Sequence, residues 1–288
     1  MDTVTRFDPV AEHERTRAAL TGVLARVVAA VRDAPDRDAA SGLPGWTVGD
    51  VGAHLAAVYL ACGAAFTGEE IPWNAVLPGD EPGDAPLVDR ITALNARAVA
   101  LLDPAERDGL ADLLARRGAD FLRATEGLAP DTPVAAPWYG EGVTFPLSAV
   151  TGLMLSESLV HGLDLTRGTG ARWPIAPHEA ALVLGQFMPT VMPMTVDAAK
   201  ARGVRIAFDL ALKGGPRLAV VVDDGSATVV RDAPPRRYDC RITADPVMFL
   251  LVSFRRVPIW KAVATGRMRA GGRRPWLATR LGDLIGTP

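Results

Sequence analysis

Lysine is almost missing from this chain: Lys200, Lys213 and Lys261 are its only three, and every other basic residue is arginine. With abundant Ala, Gly and Pro, this is the composition of a high-GC bacterial genome. Cysteine is scarcer still. Cys62 and Cys240 stand far apart and form no CxxC pair, which argues against a disulfide framework and makes a reducing cytoplasm the expected location. Neither sign of charge dominates, the formal net charge being −2 over 288 residues. The basic excess of a general nucleic-acid binder is therefore missing, and no nucleic-acid partner is expected. No run approaches about 18 uninterrupted apolar residues, so no membrane partner is expected either. The polar first ten residues lack the apolar core of a signal peptide. What the chain does have is 49% hydrophobic residues, enough to bury a core, and length for two domains or one large one.

Periodicity divides the chain in two. Residues 10–31 carry a broad helical apolar face through Leu20, Val23, Val27 and Val31. Thr47 and Asp50 form a capping box, with Asp in place of the usual Glu, that opens a second helix reaching about residue 66. Its inward stripe is Val51, His54, Leu55, Val58, Cys62, Ala65 and Phe66. A third helical region covers 87–126, broken near Asp103-Pro104. Residues 127–145 are irregular, a fourth long helix runs from 146 to 168, and a shorter one from 177 to 192. Four principal helices joined by loops predict an all-α up-down four-helix bundle over 1–195. After Pro193 the period changes. Val204, Ile206, Phe208, Leu210 and Leu212 alternate as in a strand. Asp223-Asp224-Gly225 marks a hairpin between 217–222 and 227–230. A further strand at 238–243, a helix opened by Asp245-Pro246, a strand at 267–270 and a helix at 275–285 complete a small α+β domain, residues 203–288. The expected fold class is thus multidomain, with the boundary near 194–203.

The candidate chemistry lies on the second and fourth helices. Glu157 and His161 are four residues apart, hence on one helix face, in a stripe that continues through Val150, Leu153 and Met154 and on to Asp164. A carboxylate among apolar neighbours must be neutralised, paired or bound to a metal. With His54 from the second helix, the set is two histidines and one carboxylate, as in many catalytic zinc sites. Bundle interiors build metal sites from facing helices in this way. The order is ExxxH rather than HExxH, which disfavours a zinc protease with a built-in general base. Singly, each histidine also reads as an ordinary core residue, and spacing alone leaves both readings open. Asp50 and Asp164 are candidates to support the ligands from behind, although Asp50 also reads as a helix-start residue and Asp164 as a partner of Arg167. His13 and His178, near helix starts, are expected to be solvated. Cys62 reads as a small core residue. Trp138-Tyr139 reads either as a pocket wall or as a core plug.

Two stretches resemble a known family. Leu43-Pro44-Gly45-Trp46-Thr47-Val48-Gly49-Asp50-Val51-Gly52-Ala53-His54-Leu55 and Glu157-Ser158-Leu159-Val160-His161-Gly162-Leu163-Asp164-Leu165 are similar to the two motifs of the mycothiol-dependent maleylpyruvate isomerase family. The resemblance implies a DinB-like helical domain followed by a sterol-carrier-protein-2-like domain. It implies a divalent metal of the zinc type on His54, Glu157 and His161, and mycothiol, an actinobacterial thiol, as cosubstrate. Metal binding at the thiol sulfur favours the thiolate. That thiolate adds to a double bond, which rotates before elimination gives an isomer, or it stays attached and the enzyme is an S-transferase. The proline- and glycine-rich segment 72–86 is longer than the fold needs and weighs against maleylpyruvate itself as substrate.

The expectation is therefore a cytoplasmic enzyme, monomer or dimer, that acts on a small electrophile with a low-molecular-weight thiol. One alternative is a thiol-independent metal hydrolase; another is a non-enzymatic carrier of an apolar ligand. Arg267, Arg269, Arg273 and Arg274 read as a solvated basic face or, more sharply, as an anion clamp for the thiol's carboxylate at a domain cleft.

Overall fold

The computed structural model describes residues 7–77, 87–231 and 237–286. The chain forms two compact units. One is Arg17–Ile175; the other joins Met1–Thr16 to Ala176–Pro288. Residues 176–195, assigned to the bundle by the sequence pattern, thus group with the sheet.

In the helical unit, α1 (Pro9–Arg32) buries Leu20, Val23, Val27 and Val31. The expected capping box starts α2 (Val48–Thr67), with Thr47 and Asp50 each bonding the other's backbone, and Gly68 ends it in a left-handed conformation at φ 72°. By length and composition α2 would cross a membrane; here ten of its residues are buried. Then come α3 (Trp73–Val76), α4 (Leu87–Leu101), α5 (Pro104–Asp108) and α6 (Leu110–Ala124). The expected third helix is therefore three pieces. Asp103 caps α5 through a second capping box, with Glu106, and Gly109 separates α5 from α6. The rest of the proline-rich segment, 78–86, lies outside the described residues.

A two-stranded antiparallel ribbon, β1 (Pro133–Ala135) and β2 (Thr144–Pro146), occupies the stretch read as irregular and leads into α7 (Leu147–Thr169). The unit is accordingly not a strict four-helix bundle, because short helices and a ribbon share the packing. Helix α2 packs chiefly against α6 and α7. Two glycines permit close approaches to α6, Gly118 that of α1 and Gly52 that of α2. A Cβ on Gly118 would lie 2.4 Å from Leu24, and one on Gly52 would lie 2.8 Å from Leu110.

The second unit contains α8 (Pro177–Gln186), α9 (Met188–Val191) and α10 (Ala198–Ala201), then β3 (Arg205–Leu212), β4 (Arg217–Asp223), β5 (Ser226–Arg231) and β6 (Cys240–Ala244). They are followed by α11 (Pro246–Ser253), α12 (Ile259–Ala264), β7 (Met268–Gly271) and α13 (Ala278–Leu284). The open sheet has the order β5-β4-β3-β6-β7. Strands β3 and β6 are parallel, and the other pairs antiparallel. Asp224 and Gly225 turn the β4–β5 hairpin with φ of 44° and 87°, the positive values a two-residue type I′ turn demands. At the far end of β5, Arg231 clasps Glu12 of α1, one bond being 2.7 Å, and sits 4.0 Å over the Phe7 ring. That buried pair explains why the start of α1 belongs with the sheet. One expectation is overturned here: His13, next to Glu12, is 1% exposed and not solvated. His178 is exposed as expected.

Candidate metal centre

His54, Glu157 and His161 meet at one point. Nε2 of His54 is 3.1 Å from Oε2 of Glu157, and Nε2 of His161 is 3.2 Å from the same oxygen. The three donor atoms lie within 4.8 Å of one another. The imidazoles stand edge to face, centroids 4.7 Å apart at 76°. His161 turns its other nitrogen to the buried Asp164, with Nδ1 3.0 Å from Oδ2. The i, i+4 spacing on α7 puts Glu157 and His161 on one face, and α2 brings His54 across to them. Glu157 and His161 keep some exposure, 17% and 13% of their side chains, whereas His54 has 3%. The point is therefore reachable from outside without being a surface cluster.

The electrostatics fit that placement. Burial alone would raise the Glu157 carboxyl, but hydrogen bonds and charge from His161 and His54 outweigh it and hold the group well below the usual carboxylate range. Burial would lower His161, yet Asp164 and Glu157 push it up to about 9. Burial pushes the Cys62 thiol and the Tyr59 and Tyr139 phenols up, and the Glu157 charge adds to each. These groups are neutral neighbours of the carboxylate. A neutral buried Cys62 agrees with its reading as a core residue.

Local packing holds the helices in register. The Tyr59 hydroxyl is 2.9 Å from the Ser158 hydroxyl, tying α2 to α7 one residue from Glu157. Gly162 gives its space to Trp173, whose ring would lie 2.1 Å from a Cβ there, and the indole N–H donates to the Leu159 carbonyl at 2.9 Å. The segment before α2 lies across the end of α7. Gly42 N–H donates to the Asp164 carbonyl at 2.8 Å, and Ala40 and Thr47 form a bridge. This delivers Trp46 edge-on to His54, centroids 5.5 Å apart. Trp138 stacks on Trp73 at 6.1 Å, and Tyr139 packs on Phe145 at 4.7 Å.

The remaining candidates divide. Asp50 is engaged by Thr47 and, at 3.3 Å, by Arg107; those contacts make it a helix cap rather than a support for His54. Ala65, placed on the inward stripe, is exposed, whereas Tyr59, left off it, is 1% exposed. Arg267 pairs with Asp245 at 2.8 Å and Arg274 with Asp239 at 3.6 Å; Arg269 and Arg273 are exposed. Sequence reasoning gave no role to three residues that surround the site: Trp46 stood only inside the first motif, Tyr59 was left off the inward stripe, and Trp173 carried no signal beyond the glycine at 162 that makes room for it.

A helical unit focusing two imidazoles and a carboxylate, followed by an open-sheet α+β unit, defines a two-domain protein with a candidate divalent-metal centre. The particular lineage is equally plain. The family model described as the mycothiol maleylpyruvate isomerase N-terminal domain matches residues 17–166, more than half of the chain and all three donors, and the chain belongs to that family. Among solved structures it is similar to a histidine-to-alanine variant of the mycothiol-dependent maleylpyruvate isomerase, with 16% identity, TM-score 0.49, and coverage of 90% of this chain and 92% of the other. It is also similar to the unsubstituted isomerase, at 18% identity and TM-score 0.45, over 83% and 87%. A sec-alkylsulfatase from Pseudomonas sp. matches at 13% identity and TM-score 0.32, over 83% and 44%. At that level of similarity these structures assign neither activity nor ligand. No curated protein matches the chain.

Proposed function

We propose that this chain is a metal-dependent enzyme that uses mycothiol to transform a small electrophile, either by S-transfer or by addition, rotation and elimination. The observation that carries the reading is the convergence of His54, Glu157 and His161 on one point. Two nitrogens and one carboxylate oxygen suit zinc and related divalent ions and leave coordination positions for a ligand. A divalent ion held there would supply the Lewis acidity that favours the thiolate of a bound thiol at neutral pH. Family membership supports the choice of thiol, since the family is described by mycothiol and maleylpyruvate isomerisation.

The chain's own residues do the positioning. Asp164 accepts the Nδ1 proton of His161, which turns Nε2 towards Glu157 and keeps that nitrogen available as a ligand. Trp46 fixes the His54 ring from its edge. Tyr59 and Ser158 hold the two helices at the spacing the donors need. Cys62 and Tyr139, neutral and buried, keep competing charge away from Glu157. In the same reading the first unit is DinB-like and the second sterol-carrier-like, the enzyme works in the cytoplasm, and Arg267, Arg269 and Arg273 bind the thiol's carboxylate. Replacing these arginines by alanine raises the Michaelis constant for the thiol and leaves metal content alone.

The deciding experiment combines elemental analysis with turnover of small electrophiles in the presence and absence of mycothiol. About one ion per chain and thiol-dependent turnover is the expected result. Turnover by the loaded protein without thiol makes it a hydrolase instead. Absence of metal together with a co-purified apolar ligand makes it a carrier.

A further inference from the structure

A second feature lies in the α+β unit, independent of the metal centre. Between Pro246 and Gly282 the chain has eight arginines and lysines and no aspartate or glutamate; all 33 acidic residues lie elsewhere. In the middle of this stretch, α12 buries only Ala262. Ile259, Trp260 and Val263 are 47%, 68% and 58% exposed. Trp276, in the single turn Pro275–Leu277, is also 68% exposed. Among the described residues, these two indoles are the most exposed large hydrophobic side chains. Ile259 of α12 and Ala278, the residue that follows the Trp276 turn, both line one apolar cavity of about 150 Å³, with Arg255 also in its lining.

An indole left in water beside aliphatic side chains calls for a covering surface, and such a patch rimmed by charge marks an interaction site. The chemistry of the rim identifies the cover. Tryptophan favours the level of lipid headgroups, where its ring is half in hydrocarbon and its N–H stays solvated. Clustered arginine and lysine are drawn to anionic headgroups. A second copy fits badly, since a two-fold contact sets each face against itself and here would oppose cation to cation. We propose that the face formed by α12 and the Trp276 turn docks on an anionic lipid surface. Trp260, Trp276, Ile259 and Val263 enter the headgroup layer, and Lys261 and Arg255 lie over the phosphates. This is peripheral contact, distinct from a spanning segment.

The test is co-sedimentation of the full-length, metal-loaded protein with vesicles of phosphatidylcholine alone or mixed with phosphatidylglycerol. The protein should pellet with the mixed vesicles, remain in the supernatant with phosphatidylcholine alone, and be released by raised salt. Lys261→Glu, which spares the arginines proposed to meet the thiol, should weaken binding at least about fivefold, the effect of one surface cation. The double variant Trp260→Ala/Trp276→Ala should weaken it more, with metal content unchanged in both variants. Both tryptophans are exposed, so these variants fold. No pelleting with mixed vesicles at low salt overturns the proposal. So does equal binding to both vesicle types. A lipid-free dimer, or a complex with an acidic protein, that Trp260→Ala dissociates also overturns it, because the face is then covered by protein.

Discussion

Each unit buries a carboxylate between two basic side chains, and the two carboxylates do different work. Asp209, on β3 of the sheet, has a side chain with 0% exposure. Arg217 donates to both its oxygens at 2.6 Å, and Arg241 donates at 2.7 Å from the directly opposed position on β6. Glu157 in the helical unit is held by two imidazoles at 3.1 and 3.2 Å. The guanidinium groups have no lone pair to offer and never lose their charge. Asp209 is therefore permanently satisfied and serves to lock three strands together. Imidazole nitrogens can surrender a proton and then carry a lone pair. The same carboxylate-between-cations geometry is thus a fastener in the sheet and a candidate ligand set between the helices.

The comparison breaks most visibly through the metal. His54→Ala or Glu157→Ala should each drop the bound ion from about one per chain to background while leaving the fold. In the metal-free state Glu157→Ala should change stability by no more than about 1 kcal/mol, because His161 can discharge rather than remain a stranded cation. Metal content by elemental analysis and urea melts of the apo forms check both halves. Parent-like metal content in either variant would show that the ligands are misassigned.

Asp209→Ala is the counterpart. It should leave metal content at the parent level and cost on the order of 2–3 kcal/mol, since two arginines lose a charged acceptor and cannot neutralise themselves. The arginine side chains are 40% and 42% exposed, so they can turn to water, which keeps the cost below that of a fully buried stranded pair. A melt indistinguishable from the parent's would remove the fastener role.

Asp164→Asn should sharpen the contrast within the metal site. The amide offers His161 Nδ1 a weaker and reorientable partner, and metal affinity should fall by about 10–100-fold with the ligands intact. Competition with a chromophoric chelator measures this. Unchanged affinity would make Asp164 a packing residue only.

The smallest effect is in pH. Asp209 is lowered, burial being outweighed by Arg217 and Arg241. Its contribution is present above the unfolded value near 3.9 and disappears as pH falls through the lower folded value. His161 in the metal-free protein has the opposite sign. Its folded value is raised from 6.5 to about 9, so its contribution is complete below 6.5 and lost as pH rises through about 9. Urea melts of the apo protein should therefore weaken on the alkaline side, and Glu157→Gln should make that limb shallower, Asp164 still holding part of the shift. Asp209→Asn should flatten the acid limb alone.

Local chemistry was legible in the sequence because it acts over a few residues. The Thr47–Asp50 capping box, the Asp103 break, the Asp224-Gly225 turn and the alternation of β3 need only neighbouring groups, and each stands in the structure. So does the shared face of Glu157 and His161, which helical spacing alone imposes. Tertiary packing decided the rest. It placed His54 of α2 3.1 Å from Glu157, set Trp173 into the space left by Gly162, and joined Tyr59 to Ser158. It placed His13 in the core instead of the expected solvent, and paired its neighbour Glu12 with Arg231, 219 residues away. It also recruited α8 to the sheet, an outcome no local period encodes. Spacing along one helix determines which side chains share a face. Which faces meet depends on burial and charge satisfaction summed over residues far apart in the chain, and here that sum turned three inward side chains into one candidate site.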